Sequence, residues 1–110
     1  MIPPSHCILA LVTAPDMDVA RKIARAALEQ KLAACANILP QLESHYWWEG
    51  KLEQSSEVLV IFKTAEPLRE RLQQCVLANH PYQTPEFIAF LAQGGSSDYL
   101  KWIRNSVDLP

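Results

Sequence analysis

Two unbroken apolar runs limit what this chain can fold into. Cys7–Val12 and Val58–Phe62 contain only apolar residues, mostly Ile, Leu and Val. A strand that is apolar at every position is covered on both faces or lies between other strands. We therefore place both runs at the centre of a sheet.

The segment after the first run has the pattern of a helix. Pro15 and Asp16 end the run, and Asp16 is the predicted N-cap of a helix over Met17–Leu32. Small and apolar residues recur along one side of this helix, which would let it lie close to a sheet. The positions on that side are Val19, Ile23, Ala27 and Gln30, flanked by Ala20, Ala24 and Leu28.

A long hairpin is predicted next. Ala33–Leu42 forms a second strand, in which Pro40 marks a bend or an edge position because proline has no N–H to donate. Ser44–Trp48 continues extended, and Glu49–Gly50 is the turn, with glycine supplying a positive φ. The returning strand covers Lys51–Thr64 and contains the second apolar run.

The remainder of the chain predicts a helix, a short strand and a last helix. Thr64 is a candidate N-cap, Pro67 is tolerated in the first turn, and Pro81 stops the second helix. The short strand is Phe87–Leu91, and Asp98 begins the last helix. The helical stripe of the second helix is Leu68, Leu72, Cys75, Val76 and Asn79.

The predicted order is β-α-β-β-α-β with an extra C-terminal helix. This order defines an α+β ferredoxin-like split βαβ sandwich, with the first and third strands in the middle of the sheet. Those are the two strands that hold the unbroken apolar runs. At this length we expect residues 1–110 to form one domain.

Charge and composition exclude several functional classes. The net charge is −2, and no block of Lys and Arg offers a surface for nucleic acid or an anionic membrane. The apolar runs are too short to span a bilayer, and Met1–His6 lacks the pattern of a signal peptide. The three cysteines form no Cys-x-x-Cys pair. We expect a soluble protein in the reducing cytoplasm.

Signatures of catalysis are missing from the sequence. There is no phosphate-binding Gly-rich loop, no Gly-x-Ser-x-Gly elbow and no His-x-x-x-His metal pair. Cys35 and Cys75 are expected to be buried thiols that resist reagents, since neither has a basic neighbour to lower its pKa. Cys7 is expected to be buried as well. We predict that the protein is not an enzyme.

Two segments remain as candidate functional sites. Tyr46, Trp47 and Trp48 are more aromatic surface than one small domain easily covers, so they favour a subunit interface, with a ligand platform as the alternative. The stretch His80–Glu86 is either a rigid proline-stiffened loop or the wall of a polar pocket. In the second case His80 and Glu86 would bind a cation or small ligand.

Together, several blocks of the chain resemble the CutA divalent-cation tolerance family. Their order and spacing resemble the family's over nearly the whole chain. The blocks are Thr13–Asp16, Leu32–Cys35, Trp48–Lys51, Glu57–Thr64, His80–Glu86 and Tyr99–Trp102. The resemblance implies a ferredoxin-like subunit in a tight homotrimer, built by strand extension between long hairpins and similar in shape to PII-type signalling trimers. It also implies a role in tolerance to divalent metal ions, with copper binding.

The chain departs from the resemblance at two positions. Val12 and Asn79 stand where some bacterial members have a cysteine and a histidine thought to hold copper, which leaves His80. Only weak binding of copper or another divalent cation, through His80 and Glu86, is therefore expected. The alternative is a PII-like signalling or scaffolding trimer, which binds a small metabolite or a protein partner between subunits near Trp48, Lys63, His80 and Tyr82.

Overall fold

A computed structural model gives the fold of residues 6–110. The residues Met1–Ser5, which carry most of the expectation about a signal peptide, lie outside this range. The element order confirms the predicted β-α-β-β-α-β pattern with a third helix. The elements are β1 (Cys7–Ala14), α1 (Met17–Glu29), β2 (Cys35–Trp48), β3 (Lys51–Ala65), a 3₁₀ turn (Glu66–Leu68), α2 (Arg69–Ala78), β4 (Ile88–Leu91) and α3 (Ser97–Ser106).

The four strands form one antiparallel sheet in the order β2-β3-β1-β4. The two strands with unbroken apolar runs, β1 and β3, therefore lie in the centre, as predicted. Ala10 of β1 has Phe62 of β3 on one side and Ala89 of β4 on the other. This strand order is that of a split βαβ sandwich.

The core lies between one face of the sheet and the helices. Side chains alternate along a strand, so Ala10, Val12, Val60 and Phe62 point to the same face and are fully buried. Asp16 caps α1 by accepting a hydrogen bond from the Val19 N–H at 2.9 Å, as predicted. The buried residues of α1 are Ala20, Ile23, Ala24 and Ala27. Their small size lets the helix approach the sheet.

The hairpin between β2 and β3 has two irregular points. Glu49 and Gly50 both adopt positive φ, 50° and 77°, which matches the right-handed twist of the flanking strands. A bulge lies between Leu39 and Leu42, where Gln41 has a φ of 65°. Pro40 sits inside this bulge, so it interrupts the pairing where its missing N–H is least costly.

Thr64 does not cap the second helix. It is fully buried in β3, and its Oγ1 donates to the Leu32 carbonyl at 2.7 Å. The strand continues to Ala65, and α2 begins only at Arg69 after the 3₁₀ turn that contains Pro67. The prediction failed because the hydroxyl satisfies a distant carbonyl, and sequence spacing does not reveal that partner.

The cysteines differ in exposure. Cys7 and Cys75 are buried, as expected, whereas Cys35 is half-buried and its Sγ lies 3.5 Å from the Asn37 Oδ1. Cys35 opens edge strand β2 opposite Lys63, on the sheet face away from α1. The prediction that Cys35 is buried is therefore wrong for the single chain.

The second face of the sheet is apolar and largely uncovered. In the described part of the chain, one end of it meets a helix, where the Lys63 Nζ donates to the Tyr99 Oη of α3 at 3.3 Å. Its apolar residues are half-buried or exposed in the single chain: Leu9, Leu11, Leu39, Leu59, Ile61, Ile88 and Phe90. An antiparallel sheet with one solvated face usually alternates apolar and polar residues. This face instead has the character of an interface.

Candidate functional site

A cavity of about 600 Å³ opens between the β2–β3 hairpin and the loop after α2. It brings together four of the predicted site residues: Tyr46, Trp48, Tyr82 and Glu86. Its lining consists of Thr13, Glu43, Ser44, His45, Tyr46, Trp48, Glu57, Tyr82, Gln83, Thr84 and Glu86. Lys63 does not line it. Strand β3 runs antiparallel to β1, so Lys63 lies beside the start of β1, whereas Glu57 lies close to the end of β1.

Glu57 is the most buried charged residue of this cavity. It lies in β3, with 9% of its surface exposed, and its Oε2 accepts a hydrogen bond from the Tyr82 Oη at 2.9 Å. Within residues 6–110, no Lys, Arg or His forms an ion pair with it. Buried carboxylates in proteins are normally paired with a positive charge or a metal. The site therefore holds a negative charge that no basic side chain of residues 6–110 neutralises.

Tyr82 keeps its proton in this environment. Burial first, and then the hydrogen bond to Glu57 and its charge, together raise the pKa of Tyr82 to about 12. The phenol is therefore protonated at neutral pH and remains the donor to Glu57. It does not serve as a phenolate ligand.

Glu86 adds a second carboxyl group to the cavity. It is exposed in the single chain, yet partial desolvation raises its pKa, and the nearby charge of Glu57 raises it further. A cation bound near both carboxyl groups would offset the charge of Glu57 and so favour the ionised form of Glu86. The arrangement of Glu57 and Glu86 therefore favours a positively charged ligand.

His80 does not fit the predicted role of metal ligand. Its Nε2 lies 2.7 Å from the Thr13 carbonyl oxygen, which can only accept, so this nitrogen carries the proton. Its Nδ1 accepts a hydrogen bond from the Tyr82 N–H at 3.2 Å. A neutral imidazole has one lone pair, and here that lone pair is occupied. His80 instead fixes the loop that carries Tyr82.

The residues at the two other positions implicated in copper binding, Val12 and Asn79, have structural contacts instead. Val12 is fully buried in the core, and the Asn79 Nδ2 donates to the Cys75 carbonyl at 2.8 Å. In the described part of the chain, no group of three or more His, Cys, Asp or Glu side chains is arranged to hold a metal ion. Of the predicted pair of donors, Glu86 lines the cavity and His80 does not.

The rim of the cavity is formed by the aromatic hairpin. The Tyr46 Oη lies 3.3 Å from the Ser55 Oγ, and 40% of Trp48 is exposed. Trp47 points away from the cavity and is 73% exposed. The predicted aromatic group is thus divided: Tyr46 and Trp48 border the cavity, whereas Trp47 is free to contact another molecule.

Sequence reasoning missed the buried acid of the site. Glu57 immediately precedes the apolar run of β3 and is the last charged residue before it. A charged residue directly before an apolar run was a usable signal for a buried acid. Such a residue is either buried together with the run or marks the end of the strand. Its hydrogen bond to Tyr82, which is 25 residues away in sequence, required the fold.

These features define a class of protein: a split βαβ domain with a projecting hairpin and an acidic, aromatic cavity at the base of that hairpin. Comparison with known proteins identifies the family. A sequence model described as CutA1 divalent ion tolerance protein matches residues 8–106. The chain belongs to this CutA1 divalent ion tolerance family.

Similar proteins come from plants and bacteria. The rice protein named CutA 1, chloroplastic, is 46% identical over 99 residues, which cover 90% of this chain and 56% of that protein. The divalent-cation tolerance protein CutA of Citrobacter koseri is 45% identical over 102 residues, covering 93% and 89%. A crystal structure of CutA1 from Oryza sativa superimposes with a TM-score of 0.90 and 44% identity, over 94% of each chain.

The chain spans little more than half the length of the plant relatives, 56% of the rice protein and 54% of the Arabidopsis one. Both plant names include the word chloroplastic, so the cytoplasmic location stays a prediction. Among residues 6–110, no helix combines the length and apolar character needed to cross a bilayer.

Proposed function

We propose that this protein acts in tolerance to divalent metal ions as a non-catalytic homotrimer that binds cations weakly. Family membership supports the metal role. The observation that carries the binding proposal is the buried Glu57 carboxylate, which has no basic partner in the described chain and lies beside Glu86. Glu57 and Glu86, rather than His80, are the donors that we assign; Glu43, which also lines the cavity, already contacts His45.

The chemistry of these donors predicts both the affinity and the preferred oxidation state. Carboxylate oxygens are hard ligands that suit divalent ions, whereas Cu(I) requires soft sulfur donors. Two carboxylates provide few coordinating atoms, and His80 is occupied by the Thr13 carbonyl and the Tyr82 N–H. Binding of Cu(II) should therefore be weak, and binding of Cu(I) weaker still.

Calorimetric titration of Cu(II) and Cu(I) into variants tests this proposal. Glu57→Gln should abolish the weak Cu(II) binding, whereas His80→Ala should retain a measurable part of it. Glu70→Gln is the matched control, since Glu70 is exposed on α2 and outside the cavity. Sub-nanomolar Cu(I) binding, or Cu(II) binding unaffected by Glu57→Gln, would contradict the proposal. Growth of a deletion strain in excess copper salt, with and without the gene, tests the tolerance role.

The trimer is supported by two uncovered surfaces of the single chain. One is the apolar sheet face that includes Leu9 and Phe90, which are 37% and 50% exposed. The other is the projecting hairpin that carries Trp47. Contact between copies would cover the apolar face and pair strand edges that a monomer leaves open. We place this trimer in the cytoplasm.

A second candidate function is a PII-like trimer that responds to a small metabolite. The specific observation that favours it is the cavity, because about 600 Å³ is within the range of small-molecule sites and exceeds the needs of a bare ion. Aromatic and polar groups converge on it, as such sites require. A thermal-shift screen with metabolites, set beside the metal titration, distinguishes the two functions.

A further inference from the structure

We propose that the cavity at the base of the hairpin binds a small organic cation, with an ammonium or guanidinium group against Glu57 and an apolar portion against Trp48 and Tyr46. This inference rests on the second candidate function and specifies the ligand class of that site. It does not require the metal role.

The first argument is the charge of the cavity. Its lining includes three carboxylates, Glu43, Glu57 and Glu86, and no lysine or arginine. Its one histidine, His45, already lies 2.8 Å from the Glu43 Oε2. A ligand that enters this cavity therefore meets negative charge that is not balanced locally, and a cation is the complement.

The second argument is the state of Glu57 itself. One of its oxygens, Oε2, accepts from the Tyr82 Oη, whereas among residues 6–110 its Oε1 is not an enclosed unpaired atom and so remains accessible in the cavity lining. A carboxylate oxygen that is open to the cavity can accept a hydrogen bond from a ligand donor placed there. An N–H of an ammonium or guanidinium group supplies both that donor and the missing positive charge.

The third argument favours an organic cation over a bare metal ion. Trp48 and Tyr46 border the same cavity as the carboxylates, and aromatic faces attract ammonium and guanidinium groups. A metal ion would need further ligands, but His80 has no free lone pair and Tyr82 keeps its proton. The volume of about 600 Å³ also accommodates several carbon atoms beside the charged group.

The test uses 1,4-diaminobutane and butylguanidine as probes, with 1,4-butanediol as the neutral isostere of the diamine. Calorimetry on the full-length assembled protein should detect both cations and no binding of the diol. Glu57→Gln should weaken binding of the cations by about tenfold or more, since a charge-assisted hydrogen bond is lost. Glu70→Gln, the same change on an exposed helix position, should leave the affinity unchanged.

A second variant pair tests the aromatic wall. Trp48→Leu should weaken binding several-fold, whereas Trp48→Phe keeps an aromatic face and should retain most of the affinity. Circular dichroism and sedimentation confirm that each variant folds and assembles. If Trp48→Leu dissociates the protein, the Glu57→Gln comparison alone decides the question.

The outcomes separate this inference from the metal role. Equal binding of the diol and the diamine, unchanged binding in Glu57→Gln, or no binding of either cation would overturn the inference. The last result would also be found if a second copy of the chain fills the cavity in the assembly. A protein that binds the diamine but gives no copper tolerance would contradict the metal role alone. A protein that gives copper tolerance but does not bind the diamine would contradict this inference alone.

Discussion

The imidazole of His80 illustrates how little a residue type reveals about its role. A histidine beside a proline-rich loop resembles a metal ligand in sequence, but here both ring nitrogens are engaged by Thr13 and Tyr82. The site instead relies on Glu57, whose burial gives its charge far more influence than that of a surface carboxylate. At the scale of single residues, the property to test is the protonation state of individual side chains.

Replacing Glu86 by Gln should change stability in a pH-dependent way. Because desolvation and the charge of Glu57 raise the pKa of Glu86 above its ordinary 4.5, folding favours the neutral form. The stability that this form contributes is present below about pH 4 and is lost as pH rises through the raised pKa. Gln stays neutral throughout, so Glu86→Gln should gain in melting temperature relative to wild type between about pH 4 and pH 7.

Melting temperatures of the two proteins at matched concentration across that range provide the measurement. Glu43, His45 and Tyr82 are present in both proteins, and Glu57 loses only its repulsion from Glu86, which stabilises the variant in the same direction. A difference that is constant with pH, or that shrinks towards pH 7, would show that Glu86 is not destabilised as a carboxylate.

Cys75 should be inert in the native protein. Burial raises the pKa of Cys75, and the hydrogen bond from the Gln30 Nε2 at 3.6 Å only partly offsets this effect. Little thiolate is therefore available to react. A charged thiol reagent, followed by mass spectrometry of peptides, should modify Cys75 only when denaturant is added. Rapid native labelling of Cys75 would contradict the assignment; Cys35, half-buried at an edge, serves as the comparison.

At the scale of elements, the hairpin determines where the aromatic side chains lie. Its turn places Glu49 at a φ of 50°, a left-handed conformation that costs free energy for a residue other than Gly or Asn. Gly50 occupies the other positive-φ position without penalty. The register beyond this turn, from Trp48 opposite Lys51 onwards, depends on it.

Glu49→Asn should stabilise the protein. Asn tolerates the left-handed region better than Glu and, followed by glycine, matches the preferred two-residue hairpin turn, so a gain of about 0.5–1 kcal/mol is expected. Gly50→Ala should destabilise by about 1 kcal/mol, from backbone strain alone, because nothing lies within 4 Å of the added Cβ. Urea unfolding at fixed protein concentration measures both. A loss of stability in Glu49→Asn would show that the carboxylate of Glu49 has an unrecognised role.

Thr64 links β3 to the loop between α1 and β2 through one buried hydrogen bond. Thr64→Val keeps the shape of the side chain but leaves the Leu32 carbonyl without its donor, so a loss of about 1–3 kcal/mol is expected. Thr84→Val removes an exposed hydroxyl and should change stability by less than about 0.5 kcal/mol. Urea unfolding of both variants gives the comparison, and equal effects would mean that the Thr64 bond contributes nothing specific.

At the scale of the whole molecule, the uncovered sheet face and the projecting hairpin predict a trimer in solution. Trp47→Ala should weaken assembly without altering the cavity, because Trp47 is exposed and outside its lining. Trp48→Ala should weaken assembly and cation binding together. Sedimentation equilibrium across a concentration series is the measurement. A monomer mass for the wild type at micromolar concentration would contradict the trimer.

The sequence by itself determined the element order and the strand positions. Periodicity and unbroken apolar runs are local properties, so β1 and β3 were correctly placed in the centre, and Asp16, Pro40 and Gly50 were correctly assigned as cap, bend and turn. These features depend on backbone sterics and on neighbours within a few residues.

Only the tertiary structure decided how the site is built. It pairs Glu57 with Tyr82 and His80 with Thr13, and separates Lys63 from the cavity. It also assigns Thr64 to a strand, where its hydroxyl serves the carbonyl of a residue 32 positions away. A side chain's partner across the fold depends on sheet register and loop path, which bring distant residues within hydrogen-bond range and leave no periodic signal in the sequence.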